Sequence, residues 1–154
     1  MSGKIAAKLA QLKIDLPQAA APVANYVPVV ITGNQAFVSG QVTFWNSERK
    51  FLGKLGKEFG VEEGQQAARL CGLNILAQLQ AALGDLDRVK RVVKLGVFVN
   101  CLADFTDQPK VANGVSDLMV EVFGEAGKHA RSAVGVNSLP LNVAVEVDAV
   151  VEIA

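Results

Sequence analysis

From Val143 to Ile153 the chain alternates without a break. Val143, Val145, Val147, Ala149, Val151 and Ile153 take one side; Ala144, Glu146, Asp148, Val150 and Glu152 take the other. A period of two belongs to a β-strand with one face against a core. It sets Glu146 and Asp148 on a shared face roughly 7 Å apart. Two acids there are ordinary if the face is wet, but on a covered face each needs a partner, because an isolated buried carboxylate is strongly disfavoured. This strand ends a longer stretch, His129–Ala154, which reads as two strands joined by a turn at Asn137-Ser138-Leu139-Pro140. Arg131 stands at its mouth.

The rest of the chain supplies what such a strand must pair and pack with. Tyr26–Ile31 and Ala36–Gln41 read as strands joined by a hairpin turn, Thr32-Gly33-Asn34-Gln35. Gly40 in the return strand marks either a bulge or the close approach of a ligand or another backbone. Gln65–Leu83 predicts a helix, with Ala68, Gly72, Ile75, Leu79 and Leu83 in one stripe and Gly84 as its stop. Leu86–Cys101 predicts a long strand. Pro109 fits the first turn of another helix, whose core face is Val111, Val115, Leu118, Met119 and Val122 and which ends at Gly124. Residues 1–24 read as a short amphipathic helix capped by Ser2, with Ile5, Leu9 and Leu12 on one side, and then an Ala- and Pro-rich linker. Residues 45–63 are polar and predict a surface excursion. With no composition break or repeat, the expectation is one domain, 1–154, of the α+β class, a sheet with two helices on one face. The other face carries Phe98, Ala144 and Val150, which points to burial by other subunits.

Composition narrows the function. Lys plus Arg equal Asp plus Glu at 15 each, and a general nucleic-acid binder needs a cationic excess. Arg88, Lys90, Arg91 and Lys94 form either a local basic patch or a solvated strand face. Cys71 and Cys101 lie in apolar segments and read as buried free thiols of a reducing compartment. Lys8 and Lys13 interrupt any leader-like apolar run, and no window approaches the roughly 20 apolar residues of a membrane span, so a cytoplasmic protein is expected. Gly53-Lys54-Leu55-Gly56-Lys57 is too short for a phosphate-binding loop. The single histidine, His129, has no serine or cysteine motif beside it and reads as structural or exposed. Without a nucleophile motif or a grouped set of metal ligands, the chemistry left is modest. Hydrolysis of an already reactive molecule fits it, with an arginine fork for a carboxylate and an acid to orient water.

Three groups of residues then carry a resemblance. The first is Phe37-Val38-Ser39-Gly40-Gln41. The second is Gly84-Asp85-Leu86-Asp87-Arg88-Val89-Lys90, running into Val97-Phe98-Val99 and Leu102-Ala103-Asp104-Phe105. The third is Ala130-Arg131-Ser132-Ala133-Val134 with Leu139-Pro140 and Val145-Glu146-Val147-Asp148-Ala149. In this order, across Tyr26 to Ala154, they resemble the RidA/YjgF family of reactive-intermediate deaminases. The resemblance implies a chorismate-mutase-like fold with a mixed sheet, assembled as a homotrimer whose sheets form a central barrel with a cleft between neighbours. It implies hydrolysis, with no cofactor or metal, of enamines and imines such as 2-aminoacrylate and 2-iminopropionate to 2-keto acids and ammonia. In that pattern Arg131 matches the residue that grips the substrate carboxylate, and Glu146 the acid that positions the attacking water. Ser39 and Gly40 match cleft-lining residues, Tyr26 an aromatic wall and Asn113 a polar cleft position; Asp148 is structural. Ala133 departs from the pattern where many members have cysteine, which changes the pocket floor. The N-terminal helix and the 45–63 excursion mark a longer subgroup, in which Phe44 and Trp45 lead into a segment able to cover the cleft. Two other functions stay open: a trimer that binds small carboxylates without turnover, and an endoribonuclease or translation inhibitor, which zero net charge and the lack of a histidine pair disfavour.

Overall fold

The computed structural model describes residues 3–21 and 24–154. Its chain begins with helix α1 (Lys4–Gln11), which buries Leu9 and lies against the later helix of the sheet layer. Ser2, expected to cap α1, falls outside the described residues. The first helical N–H groups are met from a distance instead, since the Asp87 carboxylate accepts from Lys4 N and Ile5 N at 2.8 Å each. Strands β1 (Val29–Thr32) and β2 (Gln35–Gln41) pair antiparallel around Gly33-Asn34. β1 starts later than expected because Pro28 has no N–H for the ladder; its carbonyl accepts from Ser39 N at 2.9 Å. A second, minimal hairpin follows, β3 (Phe44–Trp45) with β4 (Glu48–Arg49).

The expected excursion at 45–63 therefore has its own structure, and part of it is core. Leu55 is wholly buried, bridged to Cys101. Helix α2 (Val61–Leu83) begins inside this stretch, four residues before the predicted start. Glu63 explains the early start, because its carboxylate reaches back to the N–H of Gly60 at 2.8 Å. A 3₁₀ turn at Leu86–Arg88 leads into β5 (Val89–Asn100). Helix α3 (Gln108–Phe123), β6 (Ala130–Val136), a short turn at Pro140–Asn142 and β7 (Val145–Ile153) complete the chain.

The five long strands form one mixed sheet in the order β1-β2-β7-β5-β6, with α2 and α3 on one face. This is an α+β fold. β5 and β6 run parallel, linked through α3, and the other pairs are antiparallel. One expectation is corrected here. The two strands of the closing stretch are not partners, because β5 lies between them. A connection through Pro140–Asn142, longer than a hairpin turn, lets β7 cross to the centre of the sheet, where both its edges are paired.

The alternation of β7 is fully realised. Val145, Val147, Ala149, Val151 and Ile153 are buried against the helices with Leu95, Val97 and Val99 of β5, and Ile75, Leu79, Leu118 and Met119 close the core from above. Each such Val, Leu, Ile or Met side chain contributes about 1.5–3 kcal/mol by leaving water. On the opposite face Glu146, Asp148, Val150 and Glu152 are half-buried, while Val30, Phe37 and Val134 are exposed. Ala144, expected on that open face, is instead covered within the chain, donating its N–H to Phe51 O at 2.9 Å.

Candidate active site

The candidate residues assemble as two groups on opposite faces of the sheet. The first group surrounds the acids. In the β5–β7 ladder Glu146 lies across from Phe98 and Asp148 across from Gly96, all turned away from the helices. Each acid rests on bare backbone of a neighbouring strand. A Cβ on Gly40 of β2 would run into the Glu146 carboxylate, and one on Gly96 would run into that of Asp148. The ladder between β2 and β7 also slips between Val38 and Gln41, so Gly40 is both a bulge and a point of close approach. Burial first, and the neighbouring Asp148 charge second, push the Glu146 carboxyl above the usual glutamate range. Ser39 sits beside this group, and its hydroxyl donates to Val27 O at 2.8 Å, tying down the segment that carries Tyr26. Tyr26 itself is exposed and forms no wall within one chain.

The second group surrounds Arg131. In the parallel ladder Arg131 of β6 lies beside Leu95, a core residue, so its side chain leaves on the helix side of the edge strand. There α3 presents Asn113 and Ser116, three residues apart on one helical face. Arg131 Nη1 donates to Asn113 Oδ1 at 2.8 Å and to Ser116 Oγ at 3.1 Å. Ser116 Oγ also lies 2.8 Å from His129 Nε2, and His129 Nδ1 lies 2.6 Å from Gly127 O. Ser116 escaped the sequence reading, and His129 is structural in a specific way. The available signals were the Asn113–Ser116 spacing and a histidine two positions before the arginine. Ala133, next on the same side of β6, packs against the core.

Arg131 and Glu146 therefore do not meet within one chain. They project from opposite faces, with β5 between their strands. Nor does Arg131 pair with Glu146 or Asp148; among the described residues it has no acid within ion-pair distance. Trp45 covers neither group. It lines a hollow of about 400 Å³ between the second hairpin and α2, with Phe51, Leu70, Leu73, Lys50 and Arg69. Among the described residues no three His, Cys, Asp or Glu side chains converge as metal ligands, and no helix is long and apolar enough to cross a membrane.

This fold and these motifs have relatives. Residues 6–153 match the family model described as "YjgF/chorismate_mutase-like, putative endoribonuclease". The chain belongs to the YjgF/chorismate mutase-like family. Among curated relatives, it is 58% identical over 153 residues to "Protein TCP17" of Trypanosoma cruzi, spanning 99% of this chain and 96% of that one. It is 30% identical over 141 residues to the 2-iminobutanoate/2-iminopropanoate deaminase of Dermatophagoides farinae, covering 91% and 94% of the two chains. Among solved structures it superposes on E. coli TdcF with bound serine, with a TM-score of 0.65 at 26% identity over 89% of this chain and 94% of that one. Within this YjgF-like chain, one face carries an acid whose pKa is raised and the other an arginine held by neutral partners. Between them they can orient water and bind an anion.

Proposed function

We propose that this protein hydrolyses reactive imines and enamines of α-amino-acid origin to 2-keto acids and ammonia, in a cleft between copies of the chain. The observation that carries the reading is the company Arg131 keeps. Its partners are the neutral Asn113 and Ser116, so its charge remains for an incoming carboxylate. Glu146 supplies the complementary group. A carboxyl with a raised pKa is suited to take a proton from water as the oxygen bonds to the imine carbon. That proton passes to the nitrogen to give a carbinolamine; the new hydroxyl then gives up its remaining proton to the amino nitrogen as the C=O bond forms, the C–N bond breaks and ammonia leaves. Because Arg131 and Glu146 face opposite sides of one sheet, the cleft takes the arginine of one copy and the acid of the next, as a homotrimer with three such clefts provides. The deaminase relative and the serine-bound relative both support a small amino-acid-derived substrate.

The test generates 2-iminobutanoate with an amino-acid oxidase and follows its clearance against a trapping reagent. Arg131→Ala and Glu146→Gln should each slow clearance by about 100-fold or more. An Arg131→Ala protein that clears imine as fast as wild type defeats the proposal. The separation of the two groups favours one second reading, a carboxylate-binding protein without turnover, since Arg131 and Asn113 need no acid to hold an anion. That reading wins if 2-oxobutanoate raises the melting temperature while no ammonia appears above background.

A further inference from the structure

The hydrogen bonds around Arg131 have a direction. Gly127 O can only accept, so His129 Nδ1 carries a proton. In the neutral imidazole Nε2 is then an acceptor, and it takes the single hydroxyl proton of Ser116. Ser116 Oγ is left with lone pairs, one of which receives Arg131 Nη1–H. Asn113 Oδ1 receives the other Nη1–H. Both Nη1 hydrogens are thus occupied inside the chain. A guanidinium binds a carboxylate with two parallel N–H groups, either end-on through Nη1 and Nη2 or side-on through Nη2 and Nε. Only the second edge is open here, since among the described residues neither Nη2 nor Nε has a partner.

We propose that Ser116 and His129 are positioning residues that lock Arg131 so that it meets its ligand through the Nε/Nη2 edge. The proposal rests on the reading of Arg131 as a carboxylate clamp. With a neutral His129, the chain Gly127–His129–Ser116–Arg131 runs from backbone to guanidinium through donors and acceptors that each have one role. It spans α3 and the start of β6, so it also fixes the height of the guanidinium above the strand. Asn113, whose Oδ1 takes an Nη1 hydrogen, holds the opposite corner of the guanidinium. The ligand this edge takes is a carboxylate, the group that 2-oxo and 2-imino acids carry.

The experiment is calorimetric titration of the full-length protein, in its native assembly, with 2-oxobutanoate and with the neutral 2-oxobutanamide. Ser116→Ala and His129→Phe should each weaken 2-oxobutanoate binding about tenfold, what one oriented hydrogen bond implies. Ser116→Thr, which keeps the hydroxyl, should stay within about twofold of wild type. Amide binding should not change in any variant, which a loss of general fold would not spare. If Ser116→Ala and His129→Phe bind 2-oxobutanoate like wild type while Arg131→Ala does not, the positioning proposal is overturned and the clamp stands. If Arg131→Ala binds as well as wild type, or wild type does not bind, the clamp falls and takes the positioning with it.

Discussion

Glu146 and Gly40 work as one unit at the scale of single residues. The folded chain favours the protonated carboxyl at position 146, so between the ordinary and the raised glutamate pKa it holds more protons than the unfolded chain. Stability from this group is complete below that window and is lost as pH rises through it. Glu146→Gln escapes the loss, so thermal melts should show the variant above wild type at neutral pH and the gap closing on acidification through the glutamate range. Gly40→Ala tests the close approach. The carboxylate is the flexible end of a side chain and can swing away, so the fold should survive and the acid should be displaced. Turnover should fall roughly 10- to 100-fold, with the melting temperature little changed. A variant that keeps full turnover would show that the acid has no fixed place in the reaction.

The elements differ in how far their sequences foretold them. The two long helices and the buried face of β7 were readable because amphipathic periodicity over many residues is set by the core they face. Strand order was not readable, since nothing in β6 or β7 says that a third strand will separate them. The face of Arg131 was hidden for a related reason. β6 reads Ala130-Arg131-Ser132-Ala133-Val134-Gly135-Val136, with small residues on both sides, and an edge strand carries no alternation to decode. The 45–63 stretch misled through its charges, which surround a wholly buried anchor, Leu55, with Phe51 and Phe59 packed beside it against the core. Leu55→Ala removes that anchor and should cost about 2–5 kcal/mol in urea unfolding. A loss under about 1 kcal/mol would mean the stretch is as superficial as its composition suggests.

At the scale of the whole molecule, the division of the candidate site sets a test that no single chain can pass. Arg131→Ala and Glu146→Gln damage different faces, so an inactive sample of each, unfolded together and reassembled, should regain activity. If the proposed shared cleft holds, random mixing of equal amounts restores about a quarter of the clefts, each then having an intact arginine from one copy and an intact acid from its neighbour. No recovery would place both groups in the service of separate tasks. Phe37 and Val134, exposed on the open face, are the apolar contacts that such an assembly would cover.

The two halves also differ in how the chain must travel to make them. Asn113, Ser116, His129 and Arg131 lie within a separation of 18 positions, inside the α3–β6 unit. The setting of Glu146 needs β2 and β7, from opposite ends of the sequence, to find each other across both helices. Local contacts close early and at small entropic cost, whereas distant ones wait for the sheet. An intermediate with α3 and β6 docked on β5 would already hold the arginine in place and attract anions, while the setting of Glu146 was still unbuilt.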